Sequence, residues 1–231
     1  MNSRKVVFIF WSTLLIGSIS GGTVGILLNL DEYVGGGAAN FFVGLIWMLG
    51  ISAAFTLVSQ MGFFAYLFVH RFGLGLSRSH ALWNRIQWIL IVFVFFDLVY
   101  FRYIAFGRED SIWSYFIIPT ALFLYALLIA WIKAKETNKG AFVPALFFMF
   151  VITTIEWIPA LVVNNTNWLY LYLTPILIGN TYQLLLLHRL HKKTDWLKPI
   201  SLFIQLLHLW HLYHSSSQKS LQMSNLFVPM F

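Results

Sequence analysis

Six long apolar stretches dominate the sequence and account for most of its length. The hydrocarbon core of a bilayer is ~30 Å thick, and a helix that rises ~1.5 Å per residue crosses it with about 20 apolar residues. The stretches cover residues 6–30, 41–69, 86–106, 112–132, 141–163 and 168–187. This pattern predicts an all-α membrane protein with six transmembrane helices, of which the second is long enough to tilt or kink.

The composition agrees with a protein whose surroundings are lipid. Hydrophobic residues make up 59% of the chain and charged residues 10%, whereas an average soluble domain carries about 25% charged residues. The absence of cysteine excludes disulfides, thiolate nucleophiles, iron–sulfur clusters and cysteine-ligated zinc. The formal net charge of +7 does not indicate a nucleic-acid partner, because the basic residues lie in short loops between the apolar stretches.

The distribution of Lys and Arg predicts the orientation of the stretches. Thirteen of the fifteen basic residues precede the first stretch, lie in the loops after the second and fourth, or follow residue 187. Arg108 lies on the opposite side, and Arg102 lies inside the third stretch. Because short cytoplasmic loops are enriched in Lys and Arg, both termini are predicted to be cytoplasmic. A signal peptide is the alternative for the first stretch, but the apolar run through residues 24–30 makes it longer than such a peptide needs.

The same pattern divides the chain into two parts. Residues 1–187 form the transmembrane domain, and residues 188–231 form a basic, histidine-containing cytoplasmic segment with a short interfacial helix predicted at 199–214. The histidines of this helix are His208, His211 and His214. Their spacing of three residues can chelate a metal, but the polar edge of an interfacial helix is favoured because no carboxylate nearby completes a ligand set. We therefore predict no metal and no other cofactor.

Three ionisable residues lie at membrane depth: Asp97 and Arg102 in the third stretch, and Glu156 in the fifth. An unpaired charge at the bilayer centre costs a few kcal/mol, so we expect an intramembrane polar network in which each residue has a partner. Measured from the inner ends of their stretches at ~1.5 Å per residue, Arg102 lies at about 24 Å and Glu156 at about 22 Å. This predicts a buried Arg102–Glu156 pair, either a structural salt bridge or part of an ion or proton path. Pro159 is expected to kink the fifth stretch nearby.

Gly17, Gly21 and Gly25 recur at every fourth residue of the first stretch. Small residues at this spacing let the backbone of another helix approach closely. The pattern predicts a helix-packing surface. It leaves open whether the partner helix belongs to the same chain or to another protein.

Five separated segments carry a family resemblance. They cover residues 59–67, 70–75, 97–102, 141–149 and 156–157, with the sequences SQMGFFAYL, HRFGLG, DLVYFR, AFVPALFFM and EW. In this order they resemble the KinB-signalling pathway activation proteins (KbaA) of Bacillus and its relatives, over residues 1 to about 187. The resemblance implies a non-enzymatic activator of a membrane sensor histidine kinase, located in the bacterial cell membrane and feeding the sporulation phosphorelay. It implies no catalytic residues.

Two other classes of function remain as alternatives. A small-solute or ion carrier would use Asp97 and Glu156 as coupling groups, although no internal repeat is visible. An intramembrane enzyme would need a catalytic motif, and the sequence contains no H-E-x-x-H, P-loop or G-x-S-x-G pattern. The preferred interpretation is a helical membrane module, not an enzyme, that binds the kinase within the lipid bilayer and favours one of its two states.

Overall fold

The computed structural model describes residues 3–35, 37–77, 79–106, 112–163 and 165–195, and all regular structure within these ranges is helical. The helices are α1 (Ser3–Leu28), α2 (Leu30–Gly35), α3 (Gly37–Ser77), α4 (His80–Phe106), α5 (Ile117–Glu136), α6 (Phe142–Phe147), α7 (Thr153–Val163) and α8 (Thr166–Asp195). Short 3-10 helices, Ile112–Phe116 and Lys139–Ala141, precede α5 and α6. A π-helical segment, Phe148–Ile152, joins α6 to α7.

Five helical runs are long and apolar enough to cross a membrane. They are Arg4–Leu28, Gly37–Ser77, His80–Ile104, Ile117–Glu136 and Lys139–Val163, and each overlaps one of the first five predicted stretches. The sixth predicted stretch, residues 168–187, lies within α8, which has 30 residues but carries the buried polar side chains of Asn180 and Gln183. A membrane crossing by α8 and the cytoplasmic placement of both termini stay predictions.

The longest helix is α3, with 41 residues. At ~1.5 Å per residue it is about 60 Å long, twice the thickness of a hydrocarbon core. It begins at Gly37, whose φ of 83° lies in the left-handed region that glycine adopts at no steric cost. Its buried residues recur every three or four positions, as on one face of a helix, and most of them are small or polar. They include Gly44, Met48, Ser52, Thr56, Ser59, Gln60, Phe63 and Tyr66.

The run Lys139–Val163 lies at the centre of the bundle. Of its apolar part 67% is buried, compared with 24–33% in the other four runs. Its departure from a regular α-helix is the π segment, where the backbone N–H of Thr153 donates to the carbonyl of Phe148, five residues earlier. α7 continues through Pro159 to Val163, and the kink that the sequence predicts at Pro159 stays a prediction.

The glycine ridge of α1, formed by Gly17, Gly21 and Gly25, faces helices of the same chain. A Cβ atom added at any of the three would overlap a side chain of α3. The α3 residues concerned are, in that order, Thr56, Ser52 and Met48. On the other flank, a Cβ at Gly21 would lie 3.0 Å from Pro175 Cγ, and one at Gly25 would lie 2.9 Å from Leu171 Cδ1, both in α8. The ridge therefore packs into a groove between α3 and α8.

We expect Gly21→Leu to destabilise the bundle. A Cβ at this position would lie 2.6 Å from Ser52 Oγ, so a leucine side chain forces α1 away from α3. Overpacking of this kind costs about 1–3 kcal/mol. The measurement is thermal unfolding of the purified protein in detergent, with Thr23→Leu as the control because Thr23 is exposed on the opposite side of α1. Equal melting temperatures for the two variants would contradict the packing.

By its internal contacts the chain divides into a first unit, Met1–Leu186, and a second unit, Leu187–Phe231. Of the second unit the structure describes residues 187–195, which form the end of α8. The predicted interfacial helix at 199–214 and its three histidines lie outside the described residues.

Candidate functional site

The described part of the bundle exposes large apolar side chains and buries a set of polar ones within its apolar core. Large apolar side chains such as Met61 and Phe68 are each 72% exposed, whereas twelve polar or charged residues of the described ranges are buried. These are Thr13, Ser52, Thr56, Ser59, Gln60, Gln87, Lys133, Thr153, Thr154, Glu156, Asn180 and Gln183. This distribution suits lipid surroundings, because polar side chains in a membrane protein face the protein interior.

Asn180, in the middle of α8, joins three helices through its side-chain amide. Its Oδ1 accepts a hydrogen bond from Ser59 Oγ of α3 at 2.8 Å. Its Nδ2 donates to Thr153 Oγ1 at 3.0 Å and to Glu156 Oε2 at 2.6 Å, both in α7. Asn180 is fully buried, so its two N–H donors and its carbonyl oxygen form a cross-link between α3, α7 and α8 in a setting of low dielectric constant.

Glu156 lies against α3 and is only 7% exposed. Its Oε1 has no hydrogen-bond partner, and a Cβ atom added at Gly62 of α3 would overlap that oxygen. The space that a side chain at position 62 would fill is therefore occupied by the carboxylate. A second glycine, Gly179, leaves room for Ser59 in the same way, since an added Cβ there would lie 2.8 Å from Ser59 Oγ.

The side chain of Arg102, which was predicted to pair with Glu156, lies over the ring of Tyr115. Its guanidinium carbon is 5.9 Å from the centre of the Tyr115 ring, and the hydrogen bond to Glu156 comes from Asn180. The contacts described for the two side chains therefore do not include the predicted Arg102–Glu156 pair, which stays a prediction. The rise per residue gives the depth of a side chain but not the face of the helix on which it lies. The π segment before α7 also rotates every later side chain of that span relative to a regular helix. Asp97 is half-buried in α4 and has no part in these hydrogen bonds.

Lys133, which the charge pattern assigned to a cytoplasmic loop, is buried in the last turn of α5. It is 7% exposed, and its Nζ donates a hydrogen bond of 2.6 Å to the backbone carbonyl of Leu184 in α8. A long lysine side chain can extend its charged end to such an acceptor while its methylene groups pack against apolar neighbours. Lys133 therefore links α5 to α8.

An aromatic cluster connects α3 to its neighbours near the predicted inner end of the bundle. Tyr66 Oη donates to the backbone carbonyl of Pro144 at 2.8 Å. Trp83 Nε1 donates to His70 Nδ1 at 3.0 Å. The Trp83 ring lies where a side chain at Gly73 would be, so the glycine permits the close approach of α4 to α3.

The five segments that carry the family resemblance come together in the structure. Segment 59–67 contacts segment 156–157 through Gly62 and Glu156. It contacts segment 141–149 through the hydrogen bond from Tyr66 and through ring contacts, and it continues along α3 into segment 70–75. Segment 97–102 joins them because Leu98 and Trp157 belong to one buried apolar cluster. These separated stretches therefore form one continuous region of the bundle.

The chemistry available in this region is that of oxygen and amide groups. The Asn180 cross-link brings one carboxylate, two hydroxyls and one amide together, a set suited to holding helices together. Within the described ranges no group of three or more His, Asp or Glu side chains could hold a metal ion.

Comparisons with known proteins agree on one family. Residues 17–190 match the family model KbaA, described as KinB-signalling pathway activation in sporulation. A protein of Bacillus subtilis (strain 168) named "KinB-signaling pathway activation protein" is 42% identical over 198 residues, which cover 84% of this chain and 100% of the relative. No solved structure matches the chain.

Proposed function

Because the chain belongs to the KinB-signalling pathway activation family of sporulation proteins, we propose that it is a multi-pass protein of the bacterial cell membrane that activates a KinB-like sensor histidine kinase. The observation that carries this proposal is the 42% identity to the Bacillus subtilis protein along the whole of that protein. A partner activates a two-state kinase by binding one state more tightly than the other. This chain then needs no catalytic group of its own.

The surface of the bundle supports the membrane part of the proposal. Side chains such as Ile46 and Leu76 are 71% and 76% exposed, and similar apolar residues surround the described helices. A water-soluble bundle would bury such residues and expose its polar ones. The proposal includes six membrane crossings with both termini in the cytoplasm, as the distribution of Lys and Arg indicates.

The contact with the kinase is proposed on the lipid-facing side of α3. The glycine ridge of α1 is filled by α3 and α8, so it offers no surface to another helix. On α3 the rings of Phe68 and Phe72 stack at 6.2 Å and are 72% and 62% exposed. In lipid the hydrophobic effect does not drive helices together, because both partners are already out of water. Van der Waals packing between side chains contributes to their association instead.

Rescue of sporulation tests the function. We expect expression of this chain in a Bacillus subtilis strain that lacks its own homologue to restore the yield of heat-resistant spores. The restoration should disappear in a strain that also lacks KinB, because an activator needs its kinase. Equal spore yields with and without KinB, or no rescue by a protein present at normal abundance in the membrane, would refute the proposal.

Site-specific photocrosslinking tests the contact surface. A photoreactive amino acid at position 68 should capture the kinase in living cells. The matched control is position 63, because Phe63 lies on the same helix but is 1% exposed. Capture of the kinase from position 63 and not from position 68 would place the contact elsewhere.

A further inference from the structure

The start of α4 is attached to α3 by a hydrogen bond between two ring side chains. Trp83 Nε1 donates to His70 Nδ1 at 3.0 Å. The Trp83 side chain is 8% exposed, and its ring fills the space that a side chain at Gly73 would take. An indole N–H is a donor only, so the buried Trp83 needs an acceptor at this position. His70 supplies that acceptor while its Nδ1 carries no proton.

This hydrogen bond exists in one protonation state of the imidazole. A neutral imidazole has one donor nitrogen and one acceptor nitrogen, whereas an imidazolium has two donors. When His70 takes up a proton, its Nδ1–H therefore faces the N–H of Trp83, and no acceptor is left between them. A buried donor without a partner is costly, so protonation favours withdrawal of the indole from the space beside Gly73.

The titratable groups described around His70 are aromatic or basic. The Tyr66 ring of α3 lies 5.6 Å from the His70 ring, and His80 of α4 interacts electrostatically with His70. Arg71 and Arg85, which lie near the pair along α3 and α4, are exposed. α6, which accepts a hydrogen bond from Tyr66, carries no titratable side chain. Proton uptake by both histidines therefore places two like charges on neighbouring helices, which favours their separation.

The connection between the two helices transmits a movement of the indole. α3 ends at Ser77 and α4 begins at His80. The backbone N–H of Trp83 donates to the carbonyl of Ser79 at 3.1 Å, which fixes Trp83 in the first turn of α4, so that a displaced indole displaces this turn. In the predicted orientation the connection lies on the cytoplasmic side. His70 is partly exposed and can exchange protons with water there.

We propose that His70 and Trp83 form a pH-sensitive joint between α3 and α4, which is closed while His70 is neutral and opens when the imidazole takes up a proton. In the closed form the indole lies beside Gly73 and holds the two helices together. In the open form the indole has left that space, and the first turn of α4 moves away from α3. The inference does not depend on the proposed function, because its test uses the isolated protein.

The experiment uses the purified full-length protein in lipid nanodiscs, with nitrogen-15 in the indole groups of tryptophan. NMR spectra follow the indole N–H signals from about pH 8 to about pH 5, the range in which histidine ordinarily changes its charge. Trp83→Phe identifies the signal of Trp83 by its disappearance. We expect this signal to move upfield as the pH falls, because a proton that loses its hydrogen bond becomes more shielded.

His70→Asn is the test variant, because asparagine places a carbonyl oxygen near the position of Nδ1 and has no charge to gain. Its Trp83 signal should stay constant with pH. The melting temperature should fall between about pH 8 and pH 5 by roughly 2–4 °C more in the wild type than in His70→Asn, because the neutral imidazole is the form that stabilises the fold. His80→Asn is the control and should keep the transition, since it leaves the hydrogen bond of Trp83 intact.

A pH transition of the Trp83 signal that is lost in His70→Asn and kept in His80→Asn supports the joint. Its absence in the wild type, its persistence in His70→Asn or its loss in His80→Asn overturns the joint. If His70→Asn does not fold, the wild type and Trp83→Phe decide. A pH-dependent indole signal that disappears in Trp83→Phe then supports the joint, and the lack of such a signal contradicts it.

Discussion

Gly62→Ala is expected to lower the stability and abundance of the protein, whereas Gly50→Ala on the same helix should leave both at or slightly above the wild-type level. The added methyl group at position 62 would overlap Oε1 of Glu156, while one at position 50 meets no atom within 4 Å. The carboxylate must then leave Asn180. Overpacking costs about 1–3 kcal/mol, and a buried polar group left without its hydrogen bond costs about 1–3 kcal/mol. We therefore expect a loss of about 3 kcal/mol, seen as a lower melting temperature of the purified protein.

Gly50→Ala controls for the general effect of replacing glycine within a helix, which by itself is mildly stabilising. If both variants melt at the wild-type temperature, the carboxylate does not occupy the position next to Gly62. If Gly62→Ala causes no further loss of melting temperature in a Glu156→Ala background, the steric cause is confirmed, because the shorter side chain at position 156 removes the overlap.

A double-mutant cycle between Asn180 and Glu156 is expected to show strong coupling. Asn180→Ala removes the partner of Glu156, Ser59 and Thr153 at once, and it leaves buried polar atoms without hydrogen bonds. We expect an interaction energy of about 0.5–3 kcal/mol, the usual range for contacting residues. The quantity to measure is the free energy of unfolding of the two single variants and the double variant, each relative to the wild type.

A second cycle, between Arg102 and Glu156, should be additive to within about 0.5 kcal/mol, because the hydrogen bond to Glu156 comes from Asn180 and the Arg102 guanidinium lies over the Tyr115 ring. It serves as the control for the first cycle, since it contains the same Glu156 substitution. Strong coupling of Arg102 with Glu156, together with additivity of Asn180 with Glu156, would show that the hydrogen bonds of Asn180 are not the interactions that hold this region together.

Sequence reasoning located the apolar spans and the glycine ridge because both depend on properties that repeat along the chain. Length and hydropathy indicate a membrane span. The recurrence of Gly17, Gly21 and Gly25 at every fourth residue indicates one face of a helix. It also predicted that Glu156 is buried, because a carboxylate within an apolar stretch is costly where it faces lipid and is therefore expected to face the interior of the bundle. These conclusions needed no knowledge of how the helices are arranged around one another.

The partners of Glu156 could not be found in that way. Depth is additive along a helix, but the face on which a side chain lies depends on every preceding turn, and the π segment Phe148–Ile152 has no clear signal in the sequence. Asn180 was missed because only ionisable residues were sought. A buried amide at membrane depth needs partners as much as a charge does, so an asparagine in the middle of an apolar stretch is the signal that would have found it.

The length of α3 has a mechanical consequence. From Gly62, where Glu156 touches it, to its end at Ser77 the helix runs without a break for 15 residues, or about 22 Å. A rigid rod that tilts by about 10° around the contact moves its far end by about 4 Å over that distance. Because that end lies beyond the predicted membrane boundary, a tilt of α3 would turn a small displacement beside Gly62 into a larger movement at the predicted cytoplasmic surface.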